Sequence, residues 1–155
     1  MRQYAIAAIA VFSAAQIGAT MVVRPTFAGA PELLVGAQSR VVFKQCSRAA
    51  PTPTHVLPPP STTEIERLEQ TVERHIAQEY EANRASPLSS VTYARQYVAY
   101  ETNRRRMIYG NYFPISLEHS QGQAVVVCDG GAQFWGITFN PKTGKLESLL
   151  MNGNV

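Results

Sequence analysis

Residues Gln123 to Gly153 read QAVVVCDGGAQFWGITFNPKTGKLESLLMNG, and the reading of this stretch decides the fold. It holds the only Trp of the chain, one of its two Cys and its densest turn signals. Ala124 to Cys128 is a β-branched run that predicts a strand. Asp129, Gly130 and Gly131 then supply the positive-φ positions of a tight turn, and the Asp129 carboxylate is placed to accept backbone N–H groups there. Ala132 to Phe139 predicts the next strand. Gln133, Trp135, Ile137 and Phe139 alternate along it with Ala132, Phe134, Gly136 and Thr138, which puts aromatic rings on both faces. Asn140-Pro141-Lys142-Thr143-Gly144 is a type I turn closing on a left-handed Gly144. Lys145 to Leu150 returns as the last strand. The stretch therefore predicts a three-stranded meander.

Working back from it, Val91 to Glu101 and Arg106 to Phe113 predict a hairpin across the polar turn Thr102–Arg105. The best-signed local feature comes earlier. Ser61-Thr62-Thr63-Glu64 is a capping box, in which hydroxyl and carboxylate each satisfy the other residue's backbone N–H. From it Ile65, Leu68, Val72, Ile76 and Tyr80 recur at spacings of three or four, which predicts an amphipathic helix running to about Arg84 and stopping before Pro87. Its opposite face is rich in Glu and reads as a solvated surface. Ala49 to Pro60 carries five prolines, predicting a stiff extended connector without ladder pairing. Arg40 to Lys44 reads as a short edge strand.

The expected architecture is α+β, with one long helix packed across a four- to five-stranded antiparallel sheet, preceded by a secretory signal and a Pro-rich tether. The expected boundaries are 1–30 for the signal, 31–60 for the extension and tether, and 61–155 for the helix-on-sheet domain. The order of helix, hairpin and meander over residues 61–150 resembles cystatin-like and related helix-on-sheet folds. That resemblance is one of element order. The inhibitory loop sequence of a cystatin is not present, so protease inhibition is not implied.

The N-terminus explains the first boundary. Arg2 precedes an apolar, small-residue run from Tyr4 to Ala19, and Ala28-Gly29-Ala30 offers a cleavage site. Cleavage near Ala19 and an uncleaved anchor over Tyr4–Val23 are the alternatives. Export bears on the cysteines. An even pair, Cys46 and Cys128, predicts one disulfide in an oxidising compartment, with two buried thiols as the other reading. The net charge is +3 from 14 basic and 11 acidic residues. Arg2 and Arg24 both lie in the first thirty positions, so the remainder is nearly neutral, and no general affinity for nucleic acid follows.

Little catalytic chemistry is encoded locally. His55, His75 and His119 share no spacing that would place two ligands on one ion, so no metal and no cofactor is expected. No phosphate-cradling glycine loop or nucleophile elbow is present. Asp129, the only Asp, is expected to serve its turn, as are Gly130, Gly131 and Gly144. Arg104-Arg105-Arg106 is the sharpest charge feature. It reads as a solvated turn or as an anion-binding tip. The aromatic set is too large for one core face, which makes Tyr93, Tyr97 and Trp135 candidates for a binding surface on the other.

The expected function is that of a small exported, non-enzymatic binding or accessory protein, periplasmic or secreted. Its expected partner is a protein or small ligand of the cell envelope, with a membrane contact only if the N-terminus stays uncleaved. One alternative is an envelope-attached protein that contacts anionic lipid through Arg104–Arg106. Another is a small hydrolase using Cys128, or Asp129 with Glu101 or Glu118.

Overall fold

A computed structural model of the chain describes residues 25–83 and 91–153. Seven strands form one sheet: β1 (Thr26–Phe27), β2 (Glu32–Leu33), β3 (His55–Val56), β4 (Thr92–Thr102), β5 (Arg105–Pro114), β6 (Trp135–Asn140) and β7 (Lys145–Met151). Two helices accompany them, α1 (Gln38–Val41) and α2 (Thr62–Asn83). The fold is α+β, and β4 through β7 form an antiparallel meander.

The long hairpin forms as its sequence predicts. Tyr93 pairs with Pro114 and Thr102 with Arg105, leaving Asn103 and Arg104 as the two turn residues. Both take positive φ, 50° and 58°, the requirement of a two-residue turn that matches strand twist. At the other hairpin Gly144 has φ 71°. Its N–H donates to the Asn140 carbonyl at 2.8 Å, and Asn140 Oδ1 accepts from the backbone N–H groups of Lys142 and Thr143.

The α2 capping box is closed in both directions: Ser61 N–H donates to Glu64 Oε2 at 2.8 Å, and Glu64 N–H to Ser61 Oγ at 3.2 Å. Its stripe of Ile65, Leu68, Val72 and Ile76 is buried on the sheet against Tyr93, Tyr97, Ile108, Tyr112, Trp135, Ile137 and Phe139. The side chain of Tyr80 and the predicted helix end near Pro87 lie outside the described residues.

Four expectations are corrected. The sheet is mixed, because β1 and β2 pair parallel to β4. The chain entering at Thr26 runs alongside β4 in the same direction and occupies its outer edge. The Pro-rich segment does make ladder bonds. His55 and Val56, lying between Pro53 and Pro58, pair with Glu101 and Tyr100, and Thr54 and Leu57 donate to the Glu101 and Ala99 carbonyls. The prolines flank the paired residues instead of interrupting them. Arg40–Lys44 is not a strand. It contains the end of α1, for the edge of β4 is already taken and a lone β-branched run has no partner.

The fourth correction falls inside the stretch that decided the fold. Ala124–Val127 forms no strand. Each edge of β5 and β6 is already paired, so this segment lies over the sheet face. Side-chain amides satisfy its backbone: Ala124 N–H donates to Gln38 Oε1 and Val125 N–H to buried Gln96 Oε1, while the Val125 carbonyl accepts from Asn111 and Gln45. An amide-rich sheet face thus substitutes for a neighbouring strand.

That face is the second core. Leu34, Val42, Val98, Tyr100, Met107 and Tyr109 are buried together there, with Phe43, Ala50 and Val56 packed on them. The cover is the N-terminal segment and the 115–130 loop. The Cys46–Cys128 disulfide, present as predicted, joins these two covering segments. Arg48 pins the same layer. Its guanidinium is buried and donates to Asn111, Asn152 and the Tyr109 hydroxyl. No carboxylate is within bonding distance of it among the described residues.

Candidate functional site: a basic cleft between two turns

The β4–β5 turn and the β6–β7 turn close at the same end of the meander, where α2 begins. Between them lies a cleft of about 640 Å³. Arg104, Arg105 and Arg106 line it from the first turn, Asn140 to Thr143 from the second, and Glu64 from the start of α2.

Two of the arginines are braced. Arg106 meets Glu64 as a two-pronged pair, Nε to Oε1 at 2.9 Å and Nη2 to Oε2 at 3.1 Å. The Arg106 contact is the main reason that the Glu64 carboxyl is held below its ordinary pKa. Glu64 therefore caps α2 and orients a cation of the cleft with the same carboxylate. Arg105 Nη1 donates to Glu147 Oε1 at 3.1 Å, and Glu147 also accepts from the Asn140 side chain. Glu147 is the extra residue of a bulge in β7: Thr138 faces Ser148 and Phe139 faces Leu146.

Arg104 and Lys142 are exposed. They make no ion pair among the described residues. Arg67 of α2 donates to the Pro141 carbonyl at 3.0 Å. It lies so close to Gly144 that a Cβ there would come within 2.4 Å of its Nη2. The cleft is thus lined by cations from two turns, Arg105 and Arg106 held in place by carboxylates and Arg104 and Lys142 exposed, with Arg67 of α2 beside it. Such an arrangement accepts an anion through charge-assisted donors.

The Arg104–Arg106 run is brought to this cleft as one unit. The aromatic candidates are not a surface. Tyr93, Tyr97 and Trp135 are each 0% exposed, because α2 covers their face and the N-terminal segment covers the other. Trp135 stacks on Tyr112 with ring centroids 3.7 Å apart and meets Tyr93 edge-on. Burial pushes the Tyr93 phenol up to about 12. The Tyr97 hydroxyl contacts both Tyr112 and Glu69, each at 3.0 Å. Glu69 also receives Arg95 Nε at 2.7 Å, while Arg95 Nη1 donates to the carbonyls of Ala28 and Gly29.

The Cys128 alternative loses its nucleophile. Cys128 is disulfide-bonded and has no thiolate to offer. Gly130 and Gly131 take positive φ, 137° and 60°, but they lead into a 3₁₀ turn (Gly131–Gln133) and do not join two strands. The Asp129 carboxylate is exposed and accepts no hydrogen bond from the described residues, so its turn-bracing role is corrected. No three His, Cys, Asp or Glu residues converge on a metal-sized site among the described residues. No helix of the described residues is long and apolar enough to cross a membrane.

Lys142 joins the site without a motif to announce it, and Arg67 borders the site through Pro141. Lys142 sits in a turn legible in the sequence, but that turn's closeness to the other hairpin tip depends on the register of β5 against β6. Comparison of the chain with protein-family models, with curated proteins and with solved structures finds no match.

Proposed function

We propose that the protein is an exported, non-enzymatic binding module that holds an anionic ligand in the cleft between the β4–β5 and β6–β7 turns. The observation that carries this reading is the division of labour among the cations. Glu64 and Glu147 fix Arg106 and Arg105, while Arg104 and Lys142 keep their charges unpaired. Fixed and free donors together lower the ordering cost of binding without neutralising the site. The Cys46–Cys128 bond and the N-terminal signal pattern support an oxidising, extracytoplasmic setting.

Titration calorimetry with inorganic pyrophosphate tests the site. Binding should weaken as salt rises, and an Arg104→Gln, Lys142→Gln variant should lose about tenfold in affinity, roughly 1.4 kcal/mol. Unchanged binding in that variant would remove the cleft from consideration. Anionic vesicles form a second arm: binding of vesicles without binding of pyrophosphate would favour the lipid-contacting alternative at the same tip.

The cleavage point follows from the same reading of export. Phe27 lies under Arg95, 5.3 Å from the guanidinium carbon to the ring centroid, and Ala28 and Gly29 accept from it. Cleavage after Ala30 would discard all of these contacts, which favours the earlier site near Ala19. Intact-mass measurement of the exported protein should give an N-terminus before Pro25. A mass beginning at Pro31 would contradict this.

A further inference from the structure

We infer that the cleft is one end of a longer basic groove, and that its ligand is a linear acidic polysaccharide, with anionic and hydroxyl groups alternating along a chain. This rests on the proposed anion-binding function and names its ligand class. A second cavity of about 330 Å³ opens on the other side of the β6–β7 turn. Thr143 is the last turn residue to line the first cavity, and Gly144 begins the lining of the second. The ridge between them is crossed by the Arg67 guanidinium, which rests on Pro141 and Gly144.

The polar face of α2 divides into two sides. Arg67, Thr71, Arg74 and Gln78 recur at spacings of four, three and four, which sets them in one row. Thr71, Arg74 and Gln78, with Lys145 of β7, line the second cavity. Glu69, off this row, is turned to Arg95. Arg74 is folded along the helix onto the Gln70 carbonyl and the Thr71 hydroxyl. Arg74 and Lys145 have no acidic partner among the described residues. From Glu64 to Gln78 the row runs about 20 Å at the rise of an α-helix.

A compact phosphate contacts the cations of one cavity and leaves the second set of charges unused. A linear polyanion engages both. Between the cations stand the uncharged hydrogen-bonding side chains of Gln78 and Thr143, which suit sugar hydroxyls. No Phe, Tyr or Trp lines either cavity, and His75 of the second is the single ring present, so successive nucleic-acid bases find no row of stacking platforms.

The test compares a sulfated disaccharide, a sulfated octasaccharide and pyrophosphate on the full exported chain. The octasaccharide should bind at least tenfold more tightly than the disaccharide. An Arg74→Gln, Lys145→Gln variant should lose about tenfold for the octasaccharide while keeping wild-type affinity for pyrophosphate. An Arg74→Lys, Lys145→Arg variant should retain most of the octasaccharide affinity, which guards against a structural effect. Equal affinity for the two oligosaccharides, or an unaffected Gln variant, overturns the groove. Equal binding of single-stranded DNA of the same charge overturns the polysaccharide assignment. Loss of pyrophosphate binding by the wild-type chain would instead strike the underlying anion site.

Discussion

Replacing Arg104 by Gly should stabilise the protein and weaken its anion binding at once. Arg104 is the second of two left-handed residues in the β4–β5 turn, with φ 58°. Asn103 before it is of a type that tolerates this region, whereas Arg is not. A side chain held there costs roughly 1–2 kcal/mol through the clash of Cβ with the following carbonyl. Gly removes that cost but gives back roughly 0.5–1 kcal/mol through the greater freedom of its unfolded chain. The net expectation is a gain of about 0.5–1 kcal/mol. Arg104 is exposed and makes no hydrogen bond or ion pair among the described residues, so no contact is lost to offset it. Urea denaturation should show a higher midpoint with an unchanged slope, and pyrophosphate affinity should fall several-fold in the same preparation. A lowered midpoint would mean that Arg104 makes a stabilising contact. An unchanged affinity would mean that the strained cation is not part of the binding site.

Three further predictions concern the frame. A Cys46→Ser, Cys128→Ser variant removes a crosslink between residues 82 positions apart, worth about 4.5 kcal/mol in the chain-entropy model; a loss below about 1 kcal/mol on denaturation would show that the covering segments stay put without it. Gly110→Ala should destabilise by about 1–3 kcal/mol, since a Cβ there meets Ile137 and Tyr112 at 2.8 Å and Tyr97 at 3.0 Å; a neutral result would mean that the aromatic core has slack. Glu64 is held below its ordinary value of 4.5, chiefly by Arg106; its stabilising contribution is present above that value and is lost as pH falls through the lower folded value. The acid limb of a stability–pH curve should therefore be shallower in Glu64→Gln, and an identical limb would count against the bridge.

The parts of the fold that were legible are those whose signals are local. The Ser61–Glu64 box, the Ile65–Ile76 stripe, the Asn140–Gly144 turn and the long hairpin each satisfy their backbone from nearby residues, so short-range chemistry determines them. The misread parts depend on which sheet edges are free. Val125 is in a good strand-forming run, yet it lies on a face because β4 and β7 already flank the hairpin partners. Val41 and Val42 fail as a strand for the same reason. The His55–Val56 pairing shows the converse, a poor strand former accepted because an edge awaited it. For the site, the three consecutive arginines were visible, but Lys142 reaches them only through strand register. Tyr93, Tyr97 and Trp135 were misassigned to a surface because the second aromatic face, with Tyr100 and Tyr109, is covered by residues 34–56, which carry no regular periodicity, while the candidates themselves lie under α2.

The outer edge of β4 has a consequence for the order of folding. Phe27, Leu33 and Val56 all find their partners on that strand, and the Ala28 carbonyl waits for an arginine 67 positions further along the chain. As the polypeptide is synthesised, β1, β2 and β3 have no ladder to join until β4 has emerged. Contacts of such long range form late and slowly. The segment from Thr26 to Val56 therefore acquires its ladder partners only after the helix that follows it in the chain has already been made.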